Sequence, residues 1–167
     1  MSIETARTVS LMGATMSTGL MAGVFSLYAH TIMPGLRTTD DRTFIGAFQS
    51  IDHAIINPWF IGASFLGAAV FTSIAAATNR HRPVFTWILA ALIAYLATMV
   101  ITAVVHVPLN DALKAAGNPN EIAGLHHVRL NFHEARWATW NLARAVASTA
   151  AFAMLTWSLV LHGHSTR

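Results

Sequence analysis

The sequence has no cysteine and little charge: Asp, Glu, Lys and Arg make up only 10% of its 167 residues. The first absence removes disulfides and thiolate metal ligands and leaves the compartment open. The second decides the class, because a soluble domain carries about 25% charged residues. With 54% hydrophobic residues, so short a chain cannot hide its apolar surface in one aqueous core, and lipid is the alternative solvent. Linkers, low-complexity tracts and internal repeats are also missing, so residues 1–167 read as one domain. The Lys and Arg residues are scattered and the formal charge is only +3, which offers no nucleic-acid surface. The first apolar run exceeds the hydrophobic region of a signal peptide and lacks a small-x-small cleavage site before Pro34, so it is expected to stay attached.

What is present is long charge-free runs. Thr8 to Leu36, Ala54 to Asn79, Pro83 to Asn110 and Ala145 to Thr166 contain no Asp, Glu, Lys or Arg. Each exceeds the roughly 20 residues that cover a hydrocarbon core of about 30 Å. The expected fold is all-α: a four-transmembrane-helix up-down bundle with short interfacial amphipathic helices. Spans are expected over residues 8–33, 55–78, 84–107 and 137–162. The turn "MPGL" (33–36) is expected to stop the first span and "HVPLND" (106–111) the third, with Asn57-Pro58 opening the second. Phe44, Phe48 and Ile51 recur at helical spacing in an interfacial piece. A turn over Gly117 to Asn120 is expected to lead into an amphipathic helix continuous with the last span.

Four spans put both termini on one side, with Arg7, Arg80, Arg82 and Arg167 against Glu4; Arg37, Arg42, Lys114, Arg129 and Arg136 lie on the other side. The count alone leaves orientation open. The compact Arg80/Arg82 hairpin favours cytoplasmic termini, and a bacterial plasma membrane is the expected location.

Polar residues lie on helical stripes. Glu134, Trp137, Asn141, Arg144 and Ser148 follow steps of three and four, as do Gly19, Gly23, Ser26 and His30; Thr98, Thr102, His106 and Asn110 are spaced by four. The second span adds His53, Asn57 and Ser64. An up-down bundle gathers these stripes at one end, where Arg144, about 10 Å beyond Trp137 along the helix, requires carbonyls, a wet cavity or a carboxylate. Asp52, Asp111 and Glu134 are the carboxylate candidates. Plainer readings stand beside these. Gly19/Gly23 and the alanines at 143, 147 and 151 suit close helix packing, and Trp137 with Trp140 suits an interfacial belt. His126 and His127 suit a solvated face, and His162 and His164 flank the terminus.

Four segments, "MAGVFSLYAHTIMPGL" (21–36), "AFQSIDHAIINPWF" (47–60), "HVPLNDAL" (106–113) and "RWATWNLAR" (136–144), resemble in order the anthrone oxygenase-like family of small four-helix membrane proteins. Some members of that family, in polyketide pathways, oxidise anthrones. The resemblance implies a membrane-embedded monooxygenase that turns an anthrone-like aromatic into a quinone with O₂ as co-substrate and no required cofactor. An anthrone has an acidic methylene opposite its ketone, and its enolate donates an electron to O₂ directly. Such chemistry needs a flat apolar slot, a base and donors for the oxyanion. His30 or His106 is the candidate base, and Arg144 with Asn141 or Asn110 the candidate oxyanion donors. Trp137, Trp140, Phe132 and Asn57 are the candidate substrate contacts. The family pattern favours Asn where His106 stands and an acid near His133, so this chain is richer in histidine. That richness raises an alternative, copper or iron held by His30, His106, His133 and Glu134 from separate helices, since no HExxH-type pair exists. A non-enzymatic membrane subunit or sensor is the third reading. Expected partners are the lipid bilayer and a hydrophobic aromatic small molecule, and the sequence leaves a homo-oligomer open.

Overall fold

The computed structural model describes residues 2–164, and every regular element within them is helical. Arg167, counted above among the terminal-side cations, lies outside the described residues. The helices are α1 (Ile3–Arg37), α2 (Asp41–Ile55), α3 (Trp59–Asn79), α4 (Phe85–Ala115), α5 (Leu125–Asn131) and α6 (Glu134–His164). Among the described residues α1, α3, α4 and the stretch Leu125–His164 are long and apolar enough to cross a membrane. Their outward positions include Val70, Ile93, Val100, Leu142 and Val146, all exposed, as expected where lipid rather than water is the neighbour.

Two expected stops are not stops. α1 runs through "MPGL" to Arg37, and α4 runs through Pro108 to Ala115. The reason is the same in both. Tyr28–Ile32 and Thr102–His106 are π-helical turns placed just before Pro34 and Pro108. A proline in a regular helix loses its own hydrogen bond and its ring strikes the carbonyl four residues back. Here Met33 donates to the Tyr28 carbonyl and Val107 to the Thr102 carbonyl, five residues back, so the ladder is re-registered before the proline arrives. A third π-helical stretch, Trp59–Leu66, opens α3 directly after Pro58. The wider turns stand in three spans at one end of the bundle.

The junction before the last span also differs from expectation. α5 and α6 are not continuous, because His133 adopts a left-handed backbone with φ 51° and breaks them. The expected turn is present, with Gly117 at φ 86°. The Asn118 side chain accepts from the Asn120 amide at 3.0 Å.

α1 packs on α3 and α6, and α4 on α6 and α3, closing a ring of four. At one end Arg7 Nε donates to the Thr78 carbonyl at 2.9 Å, and the Thr8 hydroxyl meets His162 Nε2 at 3.1 Å. At the other, Asn141 Nδ2 donates to the Phe25 carbonyl at 3.0 Å. The core splits accordingly. Around Arg7 and His162 it is built of small side chains, Ala14, Ala68, Ala75, Ala91 and Ala151, with Leu11, Ile88 and Leu155. At the other end it is aromatic: Tyr28, Phe44, Phe48, Phe132 and Trp137. α2 closes that end, turning Phe44, Ile45, Phe48 and Asp52 inward, with Asp40 capping its start by accepting from the Thr43 amide at 3.1 Å.

The stripe expected inward on α1 faces out. Gly23 and His30 are exposed, and the buried face is Leu11, Ala14, Thr18, Met21, Phe25 and Tyr28. That face repeats at three and four with larger side chains, and it wins because it fills the core. Gly19 still serves packing. A Cβ there would stand 2.8 Å from the Phe152 ring of α6.

Candidate active site

At the aromatic end the widened helices enclose a cavity of about 340 Å³, within the roughly 300–1,000 Å³ range of small-molecule sites. Val24, Phe25, Phe60, Ile61 and Phe65 give it apolar walls; Asp52, Thr102, His106, Asn110, Lys114 and Arg144 give it polar ones. All three π-helical turns border it through Tyr28, Phe60, Phe65, Thr102 and His106.

Arg144 is its least ordinary group. It is 6% exposed, and its Nη1 donates to the Thr102 hydroxyl at 3.1 Å and its Nη2 to Asn141 Oδ1 at 2.8 Å. The guanidinium carbon lies 4.3 Å from the Phe25 ring centroid and 5.7 Å from that of Trp137. Its Nε is buried without a hydrogen-bond partner. None of the three carboxylates expected to bridge to it does so. Asp52 and Asp111 bind Lys114 at 3.0 and 2.9 Å. Glu134 binds Arg37 at 2.7 Å and Arg129 at 3.3 Å, because it stands a full turn before Trp137, at the rim where those arginines reach it. A buried guanidinium has a large desolvation penalty unless an anion answers it. The partners of its Nη atoms here, Thr102 and Asn141, are neutral.

His106 is 2% exposed. Its Nε2 stands 3.3 Å from the Trp137 carbonyl and its Nδ1 3.5 Å from the Ile101 carbonyl, and its ring meets the Trp137 indole edge to face at 4.8 Å. Both ring nitrogens face backbone carbonyls, so the neutral ring donates to one of them and the imidazolium to both. A polar chain holds the indole in turn: Trp137 Nε1 donates to Asn110 Oδ1 at 2.8 Å, and Asn110 Nδ2 donates to Asp52 Oδ1 at 2.6 Å.

Of the residues expected in the site, His106, Asn110, Trp137 and Arg144 line the cavity. Asn141 stands directly behind Arg144. Phe132 is buried in the aromatic cluster instead, its ring 4.8 Å from that of Phe48. The others are elsewhere. His30 is exposed and its Nδ1 pairs with the neighbouring Thr31 hydroxyl at 2.8 Å; it continues the outward face that Gly23 already occupies. Asn57 is a helix cap, accepting from the Phe60 amide at 2.9 Å. Trp140 points outward, 42% exposed. It is three residues from Trp137, and the inward line of α6 runs through Trp137, Asn141 and Arg144.

The ligand set His30, His106, His133 and Glu134 does not assemble. His30 and His133 are exposed, Glu134 is held by two arginines, and among the described residues no three His, Asp or Glu gather as a metal site. Among the charged residues at the cavity, Lys114 was not expected there, and Asp52 was expected only as a partner of Arg144. Each had a signal: Asp52 continues the four-residue spacing of Phe44 and Phe48 on the apolar side of α2, and Lys114 extends the ladder from Thr98 to Asn110 by one more step.

A family model described as Anthrone oxygenase matches residues 53–154. The chain belongs to the anthrone oxygenase family. The matched segment holds His106, Asn110, Lys114, Trp137 and Arg144 of this family member and starts just after Asp52. No curated protein and no solved structure matches the chain.

Proposed function

We propose that this anthrone oxygenase family member binds a planar, acidic polycyclic aromatic in the cavity and oxidises its methylene to a ketone with O₂. One oxygen atom enters the new carbonyl and the other leaves as water. The observation that carries the reading is Arg144, a buried cation without a carboxylate, at the wall of an aromatic-lined cavity in a chain of this family. The substrate ketone lies against Arg144, and its oxygen gains negative charge when His106, its ring turned so that a nitrogen leaves its backbone carbonyl for the cavity, takes a methylene proton. The guanidinium then gains its missing counter-charge only as the enolate forms, which is differential stabilisation of the transition state. Phe25, Phe60 and Trp137 supply flat apolar contact. The enolate passes one electron to O₂, and the resulting radical and superoxide combine at the methylene carbon. Ile56 and Val107 border the cavity and are also exposed, which supports access for a poorly soluble substrate from the bilayer.

The test uses detergent-purified protein, anthrone and an oxygen electrode, with quinone followed by absorbance. The reading requires O₂ uptake and quinone formation in equal amounts, both saturating with anthrone. Quinone forming no faster than in protein-free micelles would sink it.

A further inference from the structure

Resting on that reading of the cavity, we infer that Asp52 and Lys114 are a second acid–base pair in the site and act on the hydroperoxide half of the reaction. The methylene carries two protons. His106 removes the first; the second leaves when the carbon-bound hydroperoxide collapses to the ketone, and at that moment the outer oxygen needs a proton to depart as water. Arg144 is unsuited, since a guanidinium does not give up its proton. Lys114 is the amine among the residues that border the cavity, and its Nζ lies 3.0 Å from Asp52 Oδ2 and 2.9 Å from Asp111 Oδ1.

The placement follows from α4. Thr102, His106, Asn110 and Lys114 stand four residues apart along α4 and all border the cavity; beyond the π-helical turn, Asn110 and Lys114 are each about 6 Å further along the helix than the last. Thr102 holds Arg144 and therefore marks the ketone level. His106 marks the methylene level, and Asn110, bonded to Asp52 at 2.6 Å, marks the next level out, where a group standing off the methylene carbon projects. Asp52 is 8% exposed while Asp111 is open to solvent, so the pair faces the cavity at one end and water at the other.

In the step itself the C–H bond breaks toward Asp52, and its electron pair becomes the second C–O bond. The O–O bond breaks, and its electron pair leaves with the outer oxygen, which takes a proton from the Lys114 ammonium to become water. Asp52 then returns its proton to the Lys114 amine across the 3.0 Å contact, and the pair is reset with no net proton gained or lost.

The experiment compares wild type, Lys114→Arg and Asp52→Asn in single turnovers with anthrone, recording O₂ uptake and, after acid quench, quinone and any adduct of anthrone plus two oxygens by mass. Lys114→Arg keeps the ion pairs, so an unchanged thermal midpoint certifies its fold while the transferable proton is gone. The inference expects O₂ uptake within about threefold of wild type, quinone formation slowed by about 10²-fold, a typical share for a positioned acid or base, and an accumulating adduct. Quinone appearing in step with O₂ uptake in both variants overturns it. So does loss of O₂ uptake in a folded Lys114→Arg, which would place the pair in the first half. A wild type that takes up no O₂ with anthrone overturns the oxygenase reading itself, before any variant is made.

Discussion

The two ends of the bundle bury polar groups in opposite ways. Around Arg7 and His162 the helices touch through alanine, and buried amide and hydroxyl donors turn back on their own helix: Asn79 Nδ2 donates to the Ala75 carbonyl at 2.8 Å and Ser158 to the Met154 carbonyl at 2.8 Å. At the other end three proline-associated π-helical turns and bulky aromatics hold the helices apart, and the polar groups border empty space. Small side chains with regular helices leave no room for a ligand. Aromatics with re-registered helices leave a cavity that the surrounding cation cannot answer by itself. Buried polarity alone therefore does not distinguish the two ends; a buried cation without a protein counter-charge does.

That contrast predicts a graded set of effects. The largest is His106→Gln, which should lower quinone formation by about 10² to 10⁴, the range for a general base, with anthrone binding retained; binding is read by quenching of tryptophan fluorescence. Arg144→Met should lower turnover by about 10² to 10³, as for removal of an oxyanion donor, without lowering the thermal midpoint. No carboxylate is stranded by the change, and an uncompensated buried charge is removed. A midpoint falling by many degrees would mean that Arg144 has a structural anion. Trp137→Phe deletes one hydrogen bond to Asn110 worth about 1 kcal/mol, and should slow turnover by about fivefold on this scale.

At the closed end the effect should change kind. Gly13→Ala places a Cβ 2.9 Å from the Phe71 ring, and such overpacking costs about 1–3 kcal/mol. Unfolding in detergent should shift accordingly while kcat and KM stay at wild-type values; a changed KM would show that the ends are coupled. The smallest effects belong to residues excluded from the cavity. His30→Gln and Trp140→Leu should leave turnover within about twofold, since neither borders the cavity. Because the four candidate ligands are dispersed, chelator dialysis should leave turnover unchanged, with metal content checked by elemental analysis. Loss on dialysis with recovery on one metal ion would replace the proposed chemistry.

The stripe on α6 was legible because it is periodic over a regular helix: Trp137, Asn141, Arg144 and Ser148 are all buried, as their spacing requires. The stripe on α1 was misleading because Gly19, Gly23, Ser26 and His30 share a face, while the larger residues on the other face claim the core. Pro34 and Pro108 read locally as stops, yet the carbonyl they would strike is moved by a turn whose hydrogen bonds no single residue announces. Lys114 has the same cause: only a helix running on to Ala115 carries the four-residue ladder one step past Asn110.

Composition and charge-free run length determined that this is a helical chain with four segments able to cross a membrane, because backbone groups in lipid must be satisfied within each helix. Helical periodicity determined which face of α6 turns inward. Only the tertiary structure decided that Arg144 lacks a carboxylate while Lys114 takes Asp52 and Asp111, and that His106, not His30, stands beside it. Such pairings depend on distances between separate helices, set by side-chain packing and local changes of helical register, to which sequence spacing along one helix is blind.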